Sequence, residues 1–217
     1  MIVESVLEKA APAGRKASRD VRRHQLIEAT VEVLARKGYS ALTIADVAKA
    51  AGLSAGIINF HFESKDKLLA ASLLFLAEEY RRNWQKALAS APLDPAGKLK
   101  ALLFADFDDA VYTPSKLAAW IAFWGETQGR PVYDAICGEF DRERLRATRE
   151  FCGALIREGG YGHEIAAVAS VLDALGDGLW HSAASAKGTP GTAADAARIA
   201  FFTVLSAFFP KHFKVPS

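Results

Sequence analysis

Three segments of the 217-residue chain bring aromatic rings and carboxylates into helical register. In KLAAWIAFWGE, Trp120, Phe123, Trp124 and Thr127 fall at i, i+3, i+4 and i+7, one broad helical face carrying three rings. In IAAVASVLDALGDGLWHSAASA, Asp173, Asp177, Trp180 and Ala184 share a second face, and Phe107-Asp108 makes a third acidic-aromatic pair. Rings gathered around a carboxylate hold a quaternary ammonium by cation-π attraction without hydrogen bonds, each ring contributing about 0.5–2 kcal/mol. The same pattern suits a tryptophan-filled core with aspartates at its rim, and spacing alone leaves both readings open. An active site using Asp108, Asp173 or Asp177 beside His163 or His181 is a competing expectation. No Ser-His-Asp ordering, metal-ligand spacing or glycine-rich phosphate loop accompanies those residues, so the sequence points to binding rather than turnover, with no cofactor and no metal.

These side chains need helices to position them, and the chain reads as all-α. Apolar residues recur at helical spacing throughout, with no sustained alternation of β-branched residues. Helices are expected at about 19–37, in two short pieces after Thr43 and Ser54, and at about 65–90, where Ser64 is a candidate N-cap. Others follow at about 95–112, 115–128, 131–158, 163–186 and 193–209, separated by SAPLDPAG, Thr113-Pro114, Gly129-Arg130-Pro131, Gly159-Gly160-Tyr161-Gly162 and KGTPGT. Half the residues are apolar, enough for a packed core. The net charge of +2 conceals a basic N-terminal end, since residues 1–67 hold 11 Lys and Arg against 8 Asp and Glu. The densest run, GRKASRDVRRH, either is solvated surface or supplies phosphate contacts beside a nucleic-acid module. Cys137 and Cys152 form no CxxC pair, and no apolar run is long enough to span a bilayer, so a soluble cytoplasmic protein is expected, without membrane partners.

The segment VAKAAGLSAGIINFHF carries a second kind of chemistry. Thr43 is expected to cap a two-turn helix and Ser54 the next one, each satisfying otherwise unpaired amides, while Gly52 allows the sharp bend between them. Ala48 is small where the second helix crosses the first, and Val47, Leu53 and Ile58 can share an apolar interface. This is helix-turn-helix spacing. The outer face of the second short helix would present Ser54, Ala55, Asn59, Phe60 and His61, slender or polar groups able to enter a major groove. The same geometry also occurs as an ordinary helical corner, or as a protein-contact module.

The stretch from GRKASRD to ESKDKLL resembles the N-terminal DNA-binding domain of the TetR family, through LIEATVEVLARKGY, Thr43, Ala48, Gly52, Ser54, Gly56, His61-Phe62, Lys65 and Leu68. The resemblance implies that Thr43, Ser54, His61 and Lys65 anchor phosphates while Ala55, Gly56 and Asn59 lie near the bases. At position 59 the family most often has a phosphate-contacting tyrosine, and this chain has Asn59. It further implies a basic arm at 1–18, a three-helix DNA-binding domain at 19–68, and a larger helical effector-binding and dimerisation domain at 69–217. NFHF, FDDA, AAWIAFWGE and LGDGLWHSAAS are similar to segments of the family's choline-responsive repressors of betaine synthesis, which His181 and Ser182 depart from. That likeness implies an effector pocket drawn from Phe107, Asp108, Trp120, Phe123, Trp124, Asp177 and Trp180, choline or another cationic amine as effector, operator DNA as partner, and a homodimer with Ile199, Phe202, Leu205 and Phe209 as candidate seam residues.

Overall fold

The computed structural model describes residues 13–125, 130–185 and 190–214. Within them the chain forms nine α-helices and a short 3-10 turn, with no strand. Helix α1 spans Ala13–Ala41, broken at Gly38, whose φ of 75° leaves the helical region. It begins earlier than its apolar stripe announces, so residues 13–18 of the expected arm continue α1 as helix; residues 1–12 lie outside the described residues. Leu26, Ile27, Val33 and Leu34 make its buried stripe.

Helix α2 spans Ile44–Ala51 and opens with a reciprocal capping box. Thr43 Oγ1 accepts from the Asp46 amide at 3.2 Å, and Asp46 Oδ2 accepts from the Thr43 amide at 3.2 Å. Lys37 closes on Asp46 at 2.6 Å, and these bonds, with Lys37 the largest influence, bring the Asp46 carboxyl down to about 2. At the other end Gly52 takes φ 64°, and Leu53 N–H donates to Ala48 O at 2.9 Å, a Schellman closure that a side chain would strain. Replacing Gly52 with alanine should therefore destabilise the protein by about 1–2 kcal/mol, measurable by thermal unfolding. Nothing lies within 4 Å of the added methyl, so the whole effect would be backbone strain.

Helix α3 spans Ala55–Phe62, buries Ile58 and Phe62, and packs against α2, whose Val47 and Ala48 are buried. Glu63, at φ 59° and ψ −40°, reverses the chain into α4, Lys65–Ser90, which Ser64 caps by accepting from the Lys67 amide at 3.2 Å. Helix α4 continues from this head into the body. There α5 (Pro95–Phe104) tightens into the 3-10 turn Ala105–Phe107, followed by α6 (Pro114–Trp124), α7 (Arg130–Gly159), α8 (Ile165–Ser185) and α9 (Pro190–Phe208).

The expected helix 95–112 thus ends early. Asp108 explains this: its carboxylate accepts from the Ala110 amide at 2.9 Å and its carbonyl from Val111 and Tyr112, a local turn that competes with further helix. Head and body share one continuous apolar cluster, and α1 packs along α6, where Tyr39 meets Phe123 edge to face at 5.7 Å. Among the described residues no helix is long and apolar enough to cross a membrane.

Candidate DNA-binding helix and effector cavity

Helix α3 has only one side to bury. Ile58 and Phe62 face the head, while Ser54, Ala55, Gly56, Asn59 and Phe60 are exposed and His61 and Lys65 are half-buried. Phe60, 69% exposed, is the largest apolar group on this face. Ser54 occupies the N-cap position, but its hydroxyl makes no capping bond, contrary to the sequence expectation that it satisfies the first amides. Thr43 has the reverse arrangement: its hydroxyl proton goes to Asp46 Oδ2 at 2.7 Å.

Two arginines of α1 reach α3, a feature that helix-turn-helix spacing does not disclose. Arg19 lies over the Phe60 ring at 5.4 Å and Arg23 over the Phe62 ring at 5.0 Å. Burial, together with Arg19, Arg23 and Arg22, pushes the His61 imidazole below its usual range, so the ring is uncharged at neutral pH.

In the body, five elements converge on a cavity of about 190 Å³. Helix α4 contributes Tyr80, the 3-10 turn Asp106, and α6 Trp120 and Trp124; α7 adds Tyr133, Asp141 and Arg144, and α8 adds Asp173, Gly176, Asp177 and Trp180. Four of the rings close a circuit. Successive centroids run Tyr80 to Trp120 at 6.4 Å, Trp120 to Trp124 at 5.9 Å, Trp124 to Trp180 at 6.2 Å and Trp180 back to Tyr80 at 5.9 Å.

Below the rings is a buried polar network. Arg144, 7% exposed, bonds Asp106 Oδ2 at 2.5 Å and Asp173 Oδ1 at 2.9 Å. Tyr80 donates to Asp106 Oδ1 at 2.6 Å, and Trp180 Nε1 donates to the Asp106 carbonyl at 3.2 Å. Burial raises the Asp106 carboxyl to about 6 in spite of Arg144. Desolvation, with Asp173 and Asp177 nearby, brings Asp141 to about 6, and desolvation followed by Asp173 raises Asp177. Four carboxyl groups therefore face one guanidinium across an aromatic cavity, an environment that favours a cation.

Of the residues expected here, Trp120, Trp124, Asp177 and Trp180 line the cavity, and Phe123 lines a chamber adjoining it. Phe107 and Asp108 do not. Phe107 is fully buried against Tyr112 and Phe201 at 5.2 and 5.8 Å, and Asp108 is turned outward by the end of α5. The cavity acid of this segment is Asp106, two residues earlier. Sequence reasoning also missed Tyr80, Tyr133, Asp141 and Arg144, although the last three lie on one stripe of α7 at i, i+8 and i+11. Thr127, the fourth member of the aromatic face, lies outside the described residues.

The proposed seam on α9 divides. Ile199 is 67% exposed and Phe202 half-buried, but Leu205 and Phe209 are fully buried with Phe201 in the protomer's own core, which corrects their assignment to a seam. Steps of three residues advance about 300° around a helix, so the path from Ile199 to Leu205 drifts by about 120° onto the inner face. Val171 on α8 is a further exposed apolar side chain.

This head on a helical body, joined through α4, is the architecture of a transcriptional regulator. Residues 26–72 match the family described as "Bacterial regulatory proteins, tetR family", and residues 95–209 match "BetI-type transcriptional repressor, C-terminal". The chain belongs to the TetR family of bacterial transcriptional regulators, with a BetI-type C-terminal region, and is not an enzyme. It is 33% identical to the HTH-type transcriptional regulator BetI of Burkholderia cenocepacia, over 81% of this chain and 89% of that one. The corresponding protein of Paraburkholderia xenovorans is 30% identical, over 75% and 81%. Among solved structures, a protein from Pseudomonas aeruginosa PAO1 described as a transcriptional regulator superposes with a TM-score of 0.70 at 29% identity, over 90% of this chain and 95% of that one. One from Saccharomonospora viridis, solved in complex with choline, shares the fold with a TM-score of 0.73 at 21% identity, over 86% and 96%.

Proposed function

We propose that the protein is a cytoplasmic, dimeric repressor that binds operator DNA through residues 19–68 and is released when a small cationic amine enters the cavity of its body. The observation that carries the effector class is the closed circuit of Tyr80, Trp120, Trp124 and Trp180 above a carboxylate-rich floor. A quaternary head group supplies the charge this site attracts and asks for no hydrogen bonds from the indoles. The BetI-type C-terminal match and the choline held by the Saccharomonospora viridis protein agree with that chemistry.

On DNA, Thr43, Ser54, His61 and Lys65 hold phosphates, and Ala55, Gly56, Asn59 and Phe60 approach base edges. Two heads held by α8 and α9, with Ile199 and Phe202 at the seam, read two half-sites a whole number of helical turns apart. Release follows if the amine favours a different spacing of the heads. Tyr80 sits on α4 between the ring circuit and the Asp106–Arg144 network, so a head group that displaces it biases the helix leading to α3. A coupling of about 1–3 kcal/mol would lower operator affinity about 5- to 150-fold.

Calorimetry with tetramethylammonium and choline tests the effector class. Both should bind, and Trp124→Ala, at a half-buried ring, should weaken binding by about 2- to 30-fold, one ring's contribution. Protons on Asp106, Asp141 and Asp177 compete with the cation, because all three carboxyls are raised. Affinity should therefore rise with pH through about 6 and level off above it. Absence of binding by both amines, or a Trp124→Ala variant that binds like the parent, would reject the assignment.

A further inference from the structure

The cavity continues past Trp124. A second chamber of about 280 Å³ is walled by Phe123, Trp124, Tyr133, Asp177 and His181. Trp124, Tyr133 and Asp177 line both chambers, so the two adjoin along those side chains. The second repeats the chemistry of the first: three aromatic rings with a carboxylate, and the His181 ring 5.4 Å from Trp124.

Charge argues in the same direction. Arg144 engages Asp106 and Asp173, two of the four cavity carboxyls. Arg144 bonds neither Asp141 nor Asp177, and Asp177 stands at the junction of the chambers. A single small head group occupies one chamber and answers only part of this negative charge.

We infer that the effector is a dicationic amine, with one ammonium head in the Tyr80, Trp120, Trp124 and Trp180 circuit, the second in the chamber of Phe123, Tyr133, Asp177 and His181, and an apolar spacer passing Trp124. The inference rests on the cationic-amine reading and narrows it. The second head lies against rings and a carboxylate, which attract positive charge more than they attract a neutral alkyl tail. The junction at Trp124 and Asp177 selects spacer length, because a short spacer cannot carry both heads into their chambers.

The test is calorimetry of the full-length protein with tetramethylammonium, with bis(trimethylammonium)alkanes of increasing spacer length, and with alkyltrimethylammonium ions of matched length. At a favoured length the bis compound should bind at one per protomer and roughly tenfold tighter than the matched monocation. His181→Arg, which puts a positive charge in the second chamber, should bring that affinity ratio to roughly one. Phe123→Ala should lower the ratio in the same direction by removing a ring. If the matched monocation binds as tightly as the bis compound at every length, the second chamber takes an apolar tail; the dication inference is then overturned and the cationic-amine reading stands. Two bis molecules per protomer, each seated by one head, would also overturn it. If tetramethylammonium and every longer amine fail to bind, both readings fall together.

Discussion

Arg144→Met is expected to lower the unfolding free energy by about 3–5 kcal/mol, because it leaves Asp106 buried without its cation. Asp106 is 3% exposed, and Arg144 is held 2.5 Å from one of its oxygens while Tyr80 occupies the other. Methionine fills much of the arginine's volume, so the loss measures the orphaned carboxylate more than a cavity. The effect should depend on pH in a defined direction. The Asp106 carboxyl is already raised to about 6 by burial, so its ionisation costs stability as pH rises from the ordinary carboxylate range through about 6. Without Arg144 the folded-state value rises further, and the variant can escape the penalty by taking up a proton only under acidic conditions. Urea unfolding should accordingly show a larger deficit at about pH 8 than at about pH 5. Adding Asp106→Asn, which keeps an acceptor for the Tyr80 hydroxyl, should recover part of the loss at the higher pH. A deficit equal at both pH values and indifferent to Asp106→Asn would show that Arg144 acts by packing alone.

Ala55→Glu is expected to weaken operator binding by at least about 100-fold, since like charge brought against phosphate costs several kcal/mol. Stability should stay within about 0.5 kcal/mol of the parent, because Ala55 is exposed. A carboxylate in the first turn of α3 also meets the positive end of the helix dipole, so any change in folding should be slightly favourable. Binding and stability would thus move in opposite directions, which separates a DNA-contacting role from damage to the fold. Fluorescence anisotropy on sites selected by the parent protein from random duplexes provides the measurement. Parent-like affinity in this variant would remove α3 from the DNA interface. The salt dependence adds a second readout: if Lys65 holds one phosphate, Lys65→Ala should reduce the slope of log K against log salt by about 0.9.

The parts of this protein set by neighbouring residues were readable in its sequence. The cap at Thr43, the bend at Gly52 and the start of α4 at Ser64 all act within a few residues of chain, and the structure has each of them. Periodicity likewise placed Trp120 and Trp124 on one face, and Asp173, Asp177 and Trp180 on another. Ser54 shows the limit of local rules: its residue type suits a cap, but its hydroxyl is left outside the amide pattern.

What tertiary structure alone decided is which faces meet. Asp106 and Arg144 are 38 residues apart and become partners only because α7 passes beneath the turn that ends α5. A stop four residues into FADFDDA exchanged Asp108 for Asp106 at the cavity, since a change of helical pitch rotates every later side chain. Leu205 and Phe209 went inward for a related reason: α9 is apolar on more than one side, and only its packing beside Phe107 and Phe201 settles which side is core. Secondary structure and capping follow from short-range sterics and hydrogen bonds, so sequence determined them. Burial and ion pairing depend on distances between segments that no local spacing encodes, and those belonged to the fold.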